Sequence, residues 1–240
     1  MADREEKGQK CVKILFFDME FANGKVPGSI YSIGYMMTDE NFEVLIPPTD
    51  LLIDPDCRWN EYVVENILAY PKEEVDAAEP FFMHYEKLCA LFSQADVAVG
   101  FAVSNDTRAL HSACKRYLLD PISFCVLDTE KLCKLDGAHP DAHGLAGCVR
   151  AWCGEEPANQ HRSDGDAYAT MLLFRALCRS NHATPKMMLL AYPECCSSSV
   201  ASEKKGKRLP PKRCKPRTSR KKGRSEQPQK GVSPVTVEQD

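Results

Sequence analysis

Residues 12–21 (VKILFFDMEF) are apolar almost throughout and rich in strand formers, the pattern of a central strand covered on both faces. Two further strand-like runs follow at 29–38 (SIYSIGYMMT) and 43–53, the second interrupted by Pro47 and Pro48, with a turn between them at 39–41. Together they predict an antiparallel meander. The period then changes. Residues 59–68 and 80–92 read as helices, the latter with Phe81, Tyr85, Leu88 and Phe92 at three- and four-residue spacing. Residues 96–103 (DVAVGFAV) read as a buried strand, 105–119 as an amphipathic helix, 124–127 as a short strand and 129–135 as the start of a helix. Residues 144–152 form a helix closed by Gly154, and 163–179 a last clear helix with Ala169, Leu172, Leu173, Ala176 and Leu177 on one side. Three strands, then alternating helices and strands, then helices predict an α/β fold, a mixed sheet with helices on its faces.

After about Pro185 the pattern decays, apart from one last packed turn at 187–192. The expected organisation is a flexible start over 1–10, one domain over 11–185, a linker over 186–203 and a basic, disordered tail over 204–240. Residues 204–224 hold 12 Lys or Arg, no acid, and Pro210, Pro211 and Pro216. Residues 201–240 carry 13 basic and 4 acidic side chains, against 18 basic and 30 acidic in the other 200. An acidic body with a basic tail matters more here than the total of −3.

The composition also excludes some classes. No apolar run approaches the ~18–20 residues a membrane helix requires, and no secretory leader is evident, so the expectation is a soluble, cytoplasmic protein with no membrane partner. The 12 cysteines contain no Cys-x-x-Cys pair and are scattered through core-like segments, which argues against structural zinc and for reduced thiols. A P-loop enzyme is excluded by the absence of Gly-x4-Gly-Lys-Ser/Thr.

Strand side chains alternate, so Asp18 and Glu20 project from one face at the end of the first strand. Two carboxylates there are costly unless a cation compensates them, and hard oxygen ligands suit Mg²⁺ or Mn²⁺. The bland alternative is a strand emerging into water, and Asp128-Thr129-Glu130 is a second copy of the motif at a strand-to-helix exit. Asp106 follows the strand at 96–103, where an ordinary helix N-cap acid would stand, yet strand ends of such sheets also collect ligands. His161 has Asp166 five residues on. Asp166 lies in the first turns of a helix and points towards the sheet, and His161 lies on the loop before it. His143 reads as a helix-start residue and Asp164 as a solvated loop acid.

Asp-x-Glu on the first strand, an Asp after a later strand and His-x4-Asp opening a late helix resemble the DEDDh 3′→5′ exonucleases. The resemblance covers roughly residues 10–185 and implies a ribonuclease H-like fold with a mixed five-stranded sheet and helices on both faces. It implies that Asp18, Glu20, Asp106 and Asp166 hold two divalent cations, Mg²⁺ or Mn²⁺. His161 would then act as general base and release nucleoside 5′-monophosphates from the 3′ ends of single-stranded DNA or RNA. The second motif reads Phe101-Ala-Val-Ser-Asn-Asp106, with Asn105 where family members often carry Phe and Ala102 where they carry Asn. The first reads Asp18-Met-Glu20-Phe21 rather than the commoner Asp-Thr-Glu-Thr. Phe21 and Phe101 are candidate stacking surfaces for bases, with core packing as the alternative. Lys204, Lys205, Lys207 and Arg208 of the tail are candidate phosphate contacts, with a protein partner as the alternative role for the tail. The competing overall readings are a catalytically inactive nucleic-acid-binding module of the same fold and a zinc-organised interaction protein.

Overall fold

The structure is a computed structural model that describes residues 12–158 and 161–200. The expected tail, with Lys204, Lys205, Lys207 and Arg208, and the expected flexible start at 1–10 lie outside those residues. Three antiparallel strands come first, β1 (Lys13–Phe21), β2 (Ile30–Asp39) and β3 (Val44–Leu52). The helices α1 (Glu61–Asn66), α2 (Lys72–Asp76) and α3 (Phe81–Gln94) lead to β4 (Val97–Gly100), which pairs in parallel with β1. Helix α4 (Ser104–Arg116) returns the chain to β5 (Cys125–Asp128), parallel to β4. Helices α5 (Thr129–Asp136), α6 (Gly144–Cys153), α7 (Ser163–Ser180) and α8 (Pro185–Ala191) follow, and β6 (Cys196–Ser198) closes the described chain.

The sheet has six strands in the order β3-β2-β1-β4-β5-β6, one more than expected. The added strand, β6, runs antiparallel to β5 within the stretch read as a linker. Nothing in its CSS sequence alternates. It is held instead by Ser199, whose Oγ accepts from the Phe124 N–H at 2.9 Å and donates to the Ile122 carbonyl at 2.9 Å, and by burial of Cys195 beside it. Strand β3 also runs straight through Pro47 and Pro48. It lies at the sheet edge, where a missing N–H costs no ladder bond, and its pairing with β2 shifts register nearby. The short α2, absent from the sequence reading, starts directly after Pro71.

β1 explains the architecture. Its Leu15, Phe17 and Met19 enter a core with Phe81, Leu88 and Phe92 of α3 and Leu110 of α4. Its Ile14 and Phe16 enter a second core with Leu132 of α5, Val149 of α6 and Leu173, Phe174 and Leu177 of α7. The strand is therefore apolar at every position between Ile14 and Phe17, and helices cover both faces. Asp18 and Glu20 continue the Ile14–Phe16 series and so emerge on the α7 face.

Candidate active site

Three of the four carboxylates predicted from sequence come together. Ligand oxygens of Asp18, Glu20 and Asp166 all lie within 4.8 Å of one another. Asp18 and Glu20 arrive by strand alternation. Asp166 arrives because α7 begins directly on the sheet, and Gly34 is the reason it can. A Cβ at Gly34 would lie 1.8 Å from the backbone carbon of Ser163 and 2.2 Å from the N of Asp164. Gly34 pairs with Asp18 on one side and Asp50 on the other, so the row Asp18–Gly34–Asp50 leaves a notch at its centre for the first turn of α7.

Asp106, in the first turn of α4 just beyond the β4–α4 turn, is 6% exposed and lies outside that group of three, but its charge bears on Asp18 and Glu20. The β4–α4 turn is pinned. The Ala102 N–H donates to Asp128 Oδ1 at 3.1 Å, Thr129 Oγ1 donates to the Gly100 carbonyl at 2.8 Å, and Ala102 takes φ 54°. His161 is exposed, with φ 66°, an uncommon backbone conformation for a non-glycine residue. Its backbone N–H donates to Asp166 Oδ2 at 3.3 Å, which ties the histidine loop to the carboxylate cluster.

Among the described residues, no lysine or arginine pairs with Asp18, Glu20, Asp106 or Asp166. Their protons are held accordingly. Burial, followed by the charges of Asp106, Asp166, Glu20 and Asp50, raises Asp18 well above the usual carboxylate range. Burial, then Asp166, Asp106 and Asp50, pushes Glu20 up to about 8. Burial and the Asp128 charge push Asp106 up to about 7. Burial raises Asp166, while the His161 N–H and imidazole act against it. An all-oxygen set with this much uncompensated charge suits a hard divalent cation, so the residues fit the ions the resemblance implies.

A polar network behind the cluster was not visible in the sequence. Ser32 and Tyr70 both donate to Asp50, on its Oδ1 and Oδ2. Ser32 and Ser163 hydroxyls lie 2.7 Å apart. Since the single Ser32 proton is given to Asp50, Ser163 must be the donor to Ser32. The Arg162 guanidinium, next to His161, sits 4.9 Å from the centre of the Tyr70 ring and pairs with Asp164 at 3.3 Å. Asp50 thus anchors the start of α7 through two routes, and Asp164, read as a solvated loop acid, takes part in one of them. The only sequence signal for any of this was a glycine inside a strand.

The two aromatic candidates separate. Phe21 lines a cavity of about 340 Å³ with Asn23, Gly28, Asn105, Arg108 and Ser112. Phe101 packs against the second core and borders a different cavity of about 390 Å³, with Lys134, His139, His143 and Trp152.

No protein-family model matches the sequence, and no curated protein matches it. Solved structures do. The nuclease domain of 3′hExo, a DEDDh family member bound to rAMP, superposes with a TM-score of 0.59 at 11% identity, over 72% of this chain and 94% of that domain. The 3′-exonuclease that recognises the histone mRNA stem-loop gives 0.57 at 12% identity, over 70% of this chain and 64% of that one. E. coli exonuclease I, in a zinc-bound complex with single-stranded DNA, gives 0.61 at 19% identity, over 76% of this chain and 43% of that one. The chain thus spans less than half of exonuclease I and nearly all of the 3′hExo nuclease domain. The fold is the ribonuclease H-like fold of the DEDDh 3′ exonucleases, with the acidic cluster at the end of its first strand. Among the described residues, no helix is long and apolar enough to cross a membrane.

Proposed function

We propose that this protein is a metal-dependent 3′→5′ exonuclease that hydrolyses phosphodiester bonds at the 3′ ends of single-stranded nucleic acid and releases nucleoside 5′-monophosphates. The observation that carries the reading is the convergence of Asp18, Glu20 and Asp166 oxygens within 4.8 Å, free of basic partners among the described residues and tied to the His161 loop.

Asp18, Glu20 and Asp166 hold one side of the site from β1 and α7, and Asp106 extends it from the first turn of α4. Two Mg²⁺ or Mn²⁺ ions bound there would activate a water and stabilise the leaving 3′ oxygen. An imidazole nitrogen of His161 takes the proton from the attacking water, a task suited to imidazole near neutral pH. The exposed position of His161 leaves it room to approach a bound strand end. The Phe21 cavity receives a base, with the ring as a stacking face and Arg108 available to a phosphate. Phe101 forms a second stacking face on the opposite flank. The tail, through Lys204, Lys205, Lys207 and Arg208, adds phosphate contacts that offset the acidic body. Deleting 201–240 is expected to weaken binding to long strands and flatten its salt dependence. An unchanged salt slope removes the tail from this account.

The test is a time course on 3′- and 5′-labelled single strands, DNA and RNA, with Mg²⁺, Mn²⁺ or EDTA. Mononucleotide release from the 3′ end, dependent on the cation, is the expected result. Binding without digestion under every condition would replace the enzyme with an inactive binding module of this fold.

A further inference from the structure

Tyr31 is the most conspicuous unused polar group near the cluster. Its side chain is fully buried, and its hydroxyl has no hydrogen-bond partner among the described residues. Leaving a buried hydroxyl unpaired costs stability, so a position that keeps one calls for an explanation. Phenylalanine would fill the same space without that cost. The ring itself is well placed for packing, 5.3 Å from the ring of Trp59 and in a small core with Ala22, Val63 and Val75.

The backbone sets Tyr31 beside Glu20. Glu20 pairs with Ser32 but Phe21 pairs with Ile30, so Tyr31 is the extra residue of a β-bulge opposite the metal-binding end of β1. Bulges re-aim a side chain at such places. Besides its burial, the groups whose charges bear on the Tyr31 hydroxyl are Glu20 first, then Asp50, Tyr70 and Asp18. A tyrosine phenol carries its proton at neutral pH, so the oxygen has one to donate.

We propose that Tyr31 is a positioning residue for Glu20, its hydroxyl donating through one bridging water to the carboxylate that holds the divalent cation. The inference rests on the metal site proposed above. Carboxylates that ligate metals are themselves oriented by hydrogen bonds, and losing such a partner typically weakens metal affinity about 10–100-fold. The bulge, the buried orphan hydroxyl and the adjacent acids are then parts of one device.

Tyr31→Phe removes one oxygen and keeps the ring. Mn²⁺ binding is followed by the loss of free-ion signal in electron paramagnetic resonance, on wild type and variant, with melting temperatures of both metal-free proteins and strand digestion measured in parallel. The expected result is about 10–100-fold weaker Mn²⁺ binding, a matching fall in digestion, and a melting temperature equal to or above wild type. Mn²⁺ affinity within twofold of wild type overturns the proposal, as does a lowered melting temperature accompanying the loss, which would make the hydroxyl a structural group. If wild type binds Mn²⁺ but digests nothing, the exonuclease reading falls, while the affinity difference still decides the role of Tyr31.

Discussion

Asp18-Met19-Glu20 and Asp128-Thr129-Glu130 are the same motif put to opposite uses. The first lies within a strand, so both acids share a face and meet Asp166. The second straddles the end of β5 and the start of α5. There Asp128 accepts from the N–H groups of Glu130 at 3.1 Å and Lys131 at 3.4 Å, and from Ala102 across the sheet. Its charge is met by helix donors and by the Lys131 ammonium at 3.7 Å, and Glu130 pairs with Lys134 at 2.9 Å. The first copy has no such compensation among the described residues. On the proposed reading, a motif of two acids becomes a metal site where the surrounding backbone offers no donors, and a helix cap where it does. The second copy still serves the first, because Asp128 pins the turn that delivers Asp106.

The comparison can be broken by making the same change in both copies. Asp18→Asn is expected to reduce kcat about a thousandfold or more, the scale of several kcal/mol that a bound ion supplies to the transition state. Asp128→Asn keeps most of that activity per folded molecule, which steady-state kinetics on both purified variants would show. Next in size is the notch. Gly34→Ala drives a Cβ into the start of α7 and shifts Asp166 and His161, and a misplacement of about 1 Å costs on the order of 100-fold in rate. A crystal structure of the variant should show the 161–166 segment displaced. A smaller effect is expected from Ser163→Ala. It removes the donor to Ser32, destabilises the protein by about 1 kcal/mol, and raises hydrogen exchange over 161–167 more than in β1.

The charge difference between the copies also predicts a pH dependence. Glu20 and Asp106 keep their protons up to about 8 and about 7 in the folded, metal-free protein, whereas the unfolded chain releases them in the ordinary carboxylate range. Between those limits the folded state binds more protons, so stability falls as pH rises. Thermal melting from pH 5 to pH 9 should show a declining metal-free curve. Saturating Mg²⁺ should oppose the decline, with the gap between curves widening as pH rises. Parallel curves would mean that the acids carry no such penalty.

How much of this was legible before the structure follows from the same physics. Asp18 and Glu20 could be placed because an unbroken apolar run and a two-residue spacing fix which face they share. Asp166 could be placed because helical periodicity from Ala169 to Leu177 fixes which side of α7 meets the sheet. Gly34, Ser32, Asp50 and Tyr31 could not. Their meaning depends on which residues face one another across β1, β2 and β3, and a bulge or a one-residue slip changes every such pairing. β6 was invisible because serine and cysteine carry no period, and its hold on the sheet comes from pairing with β5, from Ser199 and from the buried Cys195 beside it.

The claim that the first copy alone is a metal site is tested most directly by Mn²⁺ titration of three proteins at neutral pH: wild type, Glu20→Gln and Glu130→Gln. The account predicts binding by wild type, unchanged binding by Glu130→Gln and binding lost or greatly weakened in Glu20→Gln. Equal affinity in all three, or the loss falling on Glu130→Gln, would contradict it.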